Sequence, residues 1–461
     1  MEKIHSDTER DDYKPLKKFV ASPARPPKAE KHGVIGTIRK RFFNSIGNSL
    51  LTCIALIVLF YLGKWVVNWA VIDAVFVADT RRQCLDTSPN GACWAGVISW
   101  FNGLIYGRFP VQEQWRVNLG VVIGIVWLLP LLSKRIPLRG AILLSWVALF
   151  PFFGAYLFLG GRFVQELGLF HGVMTCAAFG YLLLIYLNLI KALMGTKTIA
   201  VAGLHLLFVP FLEKRLSRRV VAISSMLVWG SLSVIAALFV SSFDLSPVPI
   251  ERWGGLFLTF IIAGFSITMA IPVGVILALG RRSKLRVIHW LSLGVIEIVR
   301  SVPLITVLFM AVTLLPIFMP SDVEFNKLSQ VLVAVCIFAG AYMAENIRGG
   351  LQAIPKGQFE AAATLGFGYW QTMFLIVLPQ ALRMMIPNIM TSFISLLKDT
   401  TLVSIIGLFD IMLMARNIAN DKDWVGMHTE PLVLIAILFF VLCFSMSQYS
   451  LNLEKRIKVD R

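Results

Sequence analysis

The amino-acid sequence predicts an all-α membrane protein that crosses the bilayer about ten times. Its 461 residues are 57% hydrophobic with a mean hydropathy of +0.75, an apolar excess that a soluble domain does not need. Several apolar runs of about 20 residues are long enough to cross a hydrocarbon core of roughly 30 Å. Clusters of Lys and Arg separate these runs, and such clusters favour the cytoplasmic side. We therefore attribute the net charge of +17 to cytoplasmic loops rather than to nucleic-acid binding.

The flanking charges orient the predicted elements along the chain. Residues 1–47 are rich in charge and contain a Pro-rich stretch, which predicts a cytoplasmic N-terminal arm rather than a cleaved signal peptide. The predicted spans are 48–70, 118–133, 140–160, 171–194, 220–241, 254–280, 302–318, 329–350, 388–412 and 431–452. This arrangement places both termini in the cytoplasm.

Two apolar stretches do not fit a simple crossing. The segment 198–212 is short and has basic residues on both sides, so it is predicted to be interfacial or re-entrant. The stretch 287–318 is too long for one span and is divided by Pro303. Its first half is predicted to lie at the cytoplasmic interface, and its second half to cross.

Two of the six cysteines lie in the predicted outside loop 71–116. Cys84 and Cys93 flank a turn-forming Ser-Pro-Asn-Gly sequence, and an oxidising compartment would allow a disulfide between them. Two free thiols are the alternative. The histidines have no spacing that indicates a metal site, and we expect neither metal nor cofactor.

The predicted cytoplasmic loop 352–386 indicates a helical hairpin. Pro355 suits a first helical turn, and Glu360-Ala361-Ala362 strongly favours helix. Gly366 is expected to end this short helix, and a second helix is predicted from about Tyr369.

The spacing within this loop resembles the ATPase-coupling loop of ABC importer permeases. Glu-Ala-Ala is followed after three residues by Gly, after nine more by Ile, and after one more by Leu-Pro. The matching residues are Glu360, Ala361, Ala362, Gly366, Ile376, Leu378 and Pro379. The resemblance implies a type I ABC importer permease core at 250–455, in the bacterial inner membrane.

Three further segments, at 300–304, 344–350 and 398–402, resemble the polar amino acid branch of these permeases. The segment around Cys84 and Cys93 resembles the M-type permease subunit of general L-amino-acid transporters. The resemblance implies uptake of L-amino acids from the periplasm, including glutamate, glutamine, aspartate and asparagine. Residues 48–241 would add N-terminal transmembrane helices with a periplasmic cysteine-containing loop.

The family resemblance also implies partners. The short helix around Glu360 would dock in a cleft of a cytoplasmic ATP-binding subunit dimer. A second permease chain would complete a heterodimeric pore, and a periplasmic amino-acid-binding protein would deliver substrate. The sequence has no Gly-x-x-x-x-Gly-Lys-Ser/Thr phosphate loop, so ATP hydrolysis is assigned to the separate subunit and this chain is not expected to be an enzyme.

Charged residues at membrane depth are candidates for the transport pathway. Lys398 and Asp399, followed by Thr400, lie in the predicted span 388–412, roughly 16 Å beyond Pro387. Charges at that depth usually face a bundle interior or a water-filled path. A pathway or gate element is one interpretation, and an inter-helix ion pair that fixes packing is the other.

Two pairs of opposite charge are spaced three residues apart at predicted cytoplasmic ends. Glu297 precedes Arg300, and Glu345 precedes Arg348. We expect interfacial ion pairs here, with substrate contact by Glu345 and Arg348 as the alternative.

Two other classes of protein compete with the importer. A secondary amino acid transporter driven by an ion gradient could use Asp399 as an ion ligand, and a membrane scaffold would transport nothing. Neither accounts for the spaced coupling loop.

Overall fold

A computed structural model of the protein describes residues 41–128, 154–162, 244–318 and 326–459, with a few isolated positions. The predicted spans 171–194 and 220–241, the segment 198–212, and most of 1–47 and 140–160 lie outside the described residues. The described part is helical and irregular except for one antiparallel pair of two-residue strands, β1 (Gly161–Arg162) and β2 (Asp244–Leu245).

The chain divides into two compact units, Met1–Ile72 and Asp73–Arg461. In the first unit, helix α1 (Ile46–Val67) continues into a π-helical turn at Asn68–Ile72. The Ser45 hydroxyl accepts the Asn48 N–H at 3.2 Å, which caps the helix start. No residue of α1 is buried although its sequence is apolar on all sides, as expected for a helix whose neighbours are lipid.

The second unit begins with a folded segment where the sequence predicts an outside loop. Its helices are α2 (Arg81–Thr87), α3 (Trp94–Ser99), α4 (Phe101–Tyr106) and α5 (Gln114–Leu128), with a 3-10 turn at Val111–Glu113. Side chains of α2 to α4 join a buried apolar cluster with residues from 411–435. This segment is therefore packed onto the C-terminal part of the chain.

The C-terminal part of the described chain holds ten further helices. They are α6 (Gly255–Arg281), α7 (Arg286–Ser301), α8 (Leu304–Thr313), α9 (Leu315–Phe318), α10 (Lys327–Gln352), α11 (Lys356–Thr364), α12 (Tyr369–Gln371), α13 (Leu378–Asp399), α14 (Ile411–Ile418) and α15 (Thr429–Val459), preceded by a 3-10 turn at Ile250–Arg252.

Helix α10 is the central helix, and it packs against α6, α7, α8 and α13. Small residues let the backbones approach closely. A Cβ atom on Gly274 would lie 2.7 Å from the Met343 side chain, and one on Gly350 would lie 2.7 Å from the Ala381 carbonyl oxygen. Glycine at these two positions therefore fixes the distances between α6, α10 and α13.

Five helices in the described part are long and apolar enough to cross a membrane. They are Ile46–Ile72, Gly255–Arg281, Lys327–Gln352, Tyr369–Ser404 and Thr429–Lys455. A sixth crossing is possible if α7 and α8, which are bent by 110°, form one broken span. The bend falls at Pro303, where the sequence predicts a division.

The predicted bounds of the span 388–412 are wrong. Helix α12, a π-helical segment at Thr372–Val377, helix α13 and a 3-10 turn at Thr400–Ser404 form one helix of 36 residues. The second arm of the predicted hairpin is therefore the first part of this span. Pro379 does not break the helix, because the π-helical segment just before it adjusts the hydrogen-bond ladder.

The same helix ends earlier than the hydropathy indicates. The hydroxyl groups of Thr400, Thr401 and Ser404 donate to carbonyls three residues earlier, at 2.7–2.8 Å. Gly407 then adopts a left-handed conformation with φ of +83°, and α14 starts as a separate helix. Apolar composition alone does not reveal this break, because the residues on both sides of it are apolar.

Candidate coupling helix and transport cavity

Helix α11 holds the residues that match the coupling loop, and its end is well defined. The Phe367 N–H donates to the Ala362 carbonyl at 3.1 Å, and the Gly366 N–H donates to the Ala363 carbonyl at 3.0 Å. This is a Schellman motif, in which Gly366 has φ of +77°. A Cβ atom there would meet no neighbour within 4 Å, so only the backbone conformation favours glycine.

The predicted coupling residues divide into an outward and an inward set. Glu360, Ala361, Gly366 and Pro379 are exposed, and Ile376 is half-buried. Ala362 and Leu378 are buried, with 1% and 6% of their surfaces exposed. The inward set packs α11 against the π-helical segment, which leaves Glu360 on a surface that another protein could reach.

Two contacts tie the coupling helix to the spans beside it. The Arg282 guanidinium lies over the Phe359 ring, 5.8 Å from its centroid, and so links α11 to the end of α6. The Gln380 side-chain amide donates to Gln358 at 3.2 Å and to the Ile376 carbonyl at 2.8 Å. A displacement of α11 would therefore be transmitted to both α6 and α13.

Glu345 is the centre of an ion-pair network between α6, α7 and α10. It contacts Arg281 at 2.5 Å, Arg348 at 2.7 Å and Arg300 at 3.6 Å. Arg281 also contacts Glu297 at 3.3 Å. The structure thus brings the four predicted residues together through Arg281, which the sequence interpretation treated only as an orientation signal. Arg281 directly follows the predicted span 254–280, and this position was the indication in the sequence that it could reach charges at the ends of neighbouring helices.

A cavity of about 280 Å³ lies between α6, α10 and α13. Its lining combines apolar side chains with Tyr342, Ser392 and a polar stripe on α13. Thr391, Ser395 and Asp399 form this stripe because residues four apart share one helix face. The lining residues are Ala270, Phe338, Ala339, Tyr342, Met343, Thr391, Ser392, Phe393, Ser395, Leu396 and Asp399.

The three predicted pathway residues take different positions. Asp399 lines the cavity, Lys398 is exposed, and Thr400 is buried with its hydroxyl donating to the Leu397 carbonyl at 2.7 Å. Lys398 and Asp399 are the last residues of α13, so the argument that placed them in the middle of a span at 388–412 does not hold. The hydroxyl stripe and Tyr342 were missed, although polar residues every four positions in an apolar run were visible in the sequence.

Cys84 and Cys93 are joined by a disulfide in the structure, with Cα atoms 5.8 Å apart. The Cys93 N–H donates to the Glu430 carboxylate at 3.0 Å, and the Arg81 guanidinium donates to the Val425 carbonyl at 2.7 Å. These bonds attach the disulfide-containing segment to the first turn of α15 and to the loop that precedes it.

Asp410 is a buried acid that the sequence interpretation did not single out. It is 0% exposed, and its carboxylate accepts the Leu413 N–H at 3.0 Å as the N-cap of α14. Burial raises the pKa of this carboxyl to about 7, although the hydrogen bond from Leu413 opposes the shift. An Asp directly before an amphipathic run is a helix-start signal that could have identified it.

These features define a multi-pass membrane protein. Residues 270–459 match the family described as the binding-protein-dependent transport system inner membrane component. Over 445 residues the chain is 35% identical to the inner membrane amino-acid ABC transporter permease protein YhdY of Escherichia coli, which covers 96% of this chain and 99% of that protein. The chain belongs to the family of amino-acid ABC transporter permeases.

Two other relatives cover very different shares of this chain. The glutamate/glutamine/aspartate/asparagine transport system permease protein BztC of Rhodobacter capsulatus is 35% identical, covering 95% of this chain and 96% of that protein. The probable glutamine ABC transporter permease protein GlnP of Bacillus subtilis is 36% identical over 205 residues, covering 44% of this chain but 92% of GlnP. The shorter permease therefore corresponds to less than half of this chain.

Proposed function

We propose that this chain is the permease subunit of an ATP-driven importer for glutamate, glutamine, aspartate and asparagine. The similarity to BztC over nearly the whole chain supports this substrate class. The observation that carries the proposal is the helix Tyr369–Ser404, because one end packs on α11 and the other lines the cavity with its polar stripe.

In the proposed mechanism, α11 docks in a cleft of a separate ATPase subunit through its exposed face around Glu360. Closure of an ATPase dimer would push on α11 and on the helix that starts at Tyr369. About 20 residues separate Pro379 from Asp399, so a rigid helix would carry the displacement roughly 30 Å to the cavity. The buried contacts of Ala362 and Leu378 keep α11 attached during this motion.

The cavity suits a zwitterionic substrate with a polar side chain. The Asp399 carboxylate can attract the α-ammonium group, and the Ser395 hydroxyl can donate to a carboxylate or amide oxygen. The Thr391 hydroxyl donates to the Pro387 carbonyl at 3.0 Å, so it can accept from an amide N–H. Lys398 is exposed beside Asp399 and is proposed to act at the mouth of the pathway. Thr400 is proposed to fix the end of α13.

The remaining assignments follow from the same proposal. Both termini lie in the cytoplasm, 1–47 is an arm, 352–386 is the coupling region and 250–455 is the transport core. The helices within 48–241 are an addition to that core. A second permease chain would complete a heterodimer, and a periplasmic amino-acid-binding protein would deliver substrate to the outer loops.

Reconstitution of the complete transporter in proteoliposomes tests the proposal. ATP inside the liposomes should support uptake of radiolabelled glutamate, and glutamine, aspartate and asparagine should compete. Dissipating the proton gradient should leave uptake unchanged. Uptake that needs the gradient and not ATP would instead identify a secondary transporter.

A further inference from the structure

The side of α7 that packs on the protein carries polar residues beside the buried Ile296. His289 Nδ1 lies 2.6 Å from the Arg281 carbonyl oxygen, and Glu297 pairs with Arg281 at 3.3 Å. Ser292 is also buried on this side, against Gly280. The ion-pair network at the end of α6 therefore occupies the polar face of α7.

The opposite side of α7 is an exposed apolar stripe. Val287, Trp290, Leu291 and Ile298 are 65–70% exposed, and their spacing places them on one side of the helix. An apolar stripe of this kind is stable only when lipid or another protein covers it.

A basic turn adjoins one end of this stripe. Arg282, Lys284 and Arg286 are exposed, and they directly follow the apolar helix α6 of 27 residues. Because a span of that length ends near the membrane surface, the turn lies at the depth of lipid headgroups. Helix α8 then leaves α7 at 110°, which allows α7 to lie along the surface while α8 enters the membrane.

We propose that the turn 282–286 and the apolar stripe of α7 bind anionic phospholipid of the cytoplasmic leaflet. The phosphodiester is held by Lys284 and Arg286, and the acyl chains cover Trp290 and Leu291. This inference rests on the proposed function, which places the turn 282–286 on the cytoplasmic side of the membrane. Among the described residues neither Lys284 nor Arg286 forms an ion pair, so their charges remain available for a phosphate.

A second permease chain is the competing occupant of this stripe. The adjoining charges favour lipid, because the buried centres of protein interfaces are depleted in charged residues, whereas phospholipid supplies acyl chains beside an anionic group. Arg282 lies over Phe359 of the coupling helix, so lipid at the turn would also be adjacent to the site of ATPase docking.

Lipid retention by the assembled transporter tests the headgroup preference. The complex is placed in nanodiscs of equal parts phosphatidylglycerol and phosphatidylethanolamine, then extracted, and its retained lipids are measured by native mass spectrometry. Wild type should retain phosphatidylglycerol preferentially. Lys284→Gln with Arg286→Gln should lower that preference about fivefold for each cation removed. The matched control, Arg82→Gln with Lys422→Gln, removes one exposed cation from α2 and one from the loop before α15, and should not lower it.

Photocrosslinking identifies what covers the stripe. A benzophenone amino acid in place of Trp290 should yield adducts with phospholipid in the assembled, transporting complex. Adducts with the second permease chain, or an unchanged lipid preference in the Lys284 and Arg286 variant, would overturn the proposal. Wild-type uptake driven by ATP is measured in the same preparation, so failure of lipid binding is distinguishable from failure of the importer assignment.

Discussion

Glu360 is the residue through which the coupling proposal is tested most directly. Its side chain is exposed, while Ala362 on the same helix provides the buried contact. We expect Glu360→Lys to reduce ATP-coupled uptake at least tenfold, because a charge reversal on a docking surface costs affinity without changing the packing of α11. The amount of inserted protein should be unchanged. Glu251→Lys, a charge reversal at another exposed acid, is the control for general effects of charge, and normal uptake by Glu360→Lys would refute the docking role.

Asp410 should make the stability of the protein depend on pH. In the folded state burial raises the carboxyl pKa to about 7, whereas an unfolded Asp has a pKa near 3.9. Between about pH 4 and 7 the unfolded chain ionises first, so stability falls as pH rises, by up to about 4 kcal/mol. Above pH 7 both states are ionised and the loss levels off.

The matched variant for this residue is Asp410→Asn, since Asn keeps an oxygen for the helix cap but does not ionise. Its thermal unfolding midpoint should rise relative to wild type as pH increases from 4 to 7. Arg416 is the nearby cation, and it opposes the shift. Parallel midpoints of the two proteins across this range would show that Asp410 is not the titrating group.

Helix α11 is the element whose end depends on a single backbone conformation. Gly366→Ala should destabilise that end by about 1 kcal/mol, because Ala resists the left-handed φ of +77°. Hydrogen exchange of the α11 amides should then accelerate about fivefold. Gly357→Ala in the same helix has open space around it and should slow exchange or leave it unchanged, because Ala favours helix. Equal effects of the two variants would contradict this account of the turn.

Sequence reasoning located the elements better than their ends. Hydropathy and charge placed the spans at 254–280, 329–350 and 431–452 close to α6, α10 and α15, because each lies between polar segments. The same reasoning failed for 388–412, where Pro387 lies inside the helix and the chain leaves the helix before Gly407. Local composition does not contain the tertiary contacts that decide both outcomes.

The candidate site shows the same limit. Glu297, Arg300, Glu345 and Arg348 were recognised as charges that need partners, but periodicity within one helix cannot show which helices meet. Arg281 joins them only because α6, α7 and α10 converge at their ends. The cavity beside Asp399 is likewise formed by three helices, and no single one of them predicts it.

At the scale of the whole molecule, the disulfide-containing segment is one of two described places where the first half of the chain packs on the proposed transport core; the other joins Phe109, Val117 and Phe158 to Trp253 and Phe257. Leu104 and Val97 are buried in one cluster with Met414, Ile418 and Trp424 of the core. GlnP corresponds to only 44% of this chain, so a related permease is built from less than half of its length. In this protein, however, residues 411–435 have an apolar face that side chains from 84–104 cover.

This arrangement predicts how the two halves behave when they are separated. Residues 244–461 expressed alone should expose the apolar face and give little stable protein, whereas co-expression with residues 1–243 should restore a stable complex. Gly96→Ala should weaken this rescue, because its Cβ atom would lie 2.7 Å from the Trp424 ring, which shifts less readily than the flexible end of Met427 at 2.6 Å. Gly103→Ala should permit it, since the nearest neighbour there is 3.4 Å away. Co-purification of the fragments measures the outcome, and rescue by Gly96→Ala equal to that by Gly103→Ala would show that this interface does not hold the halves together.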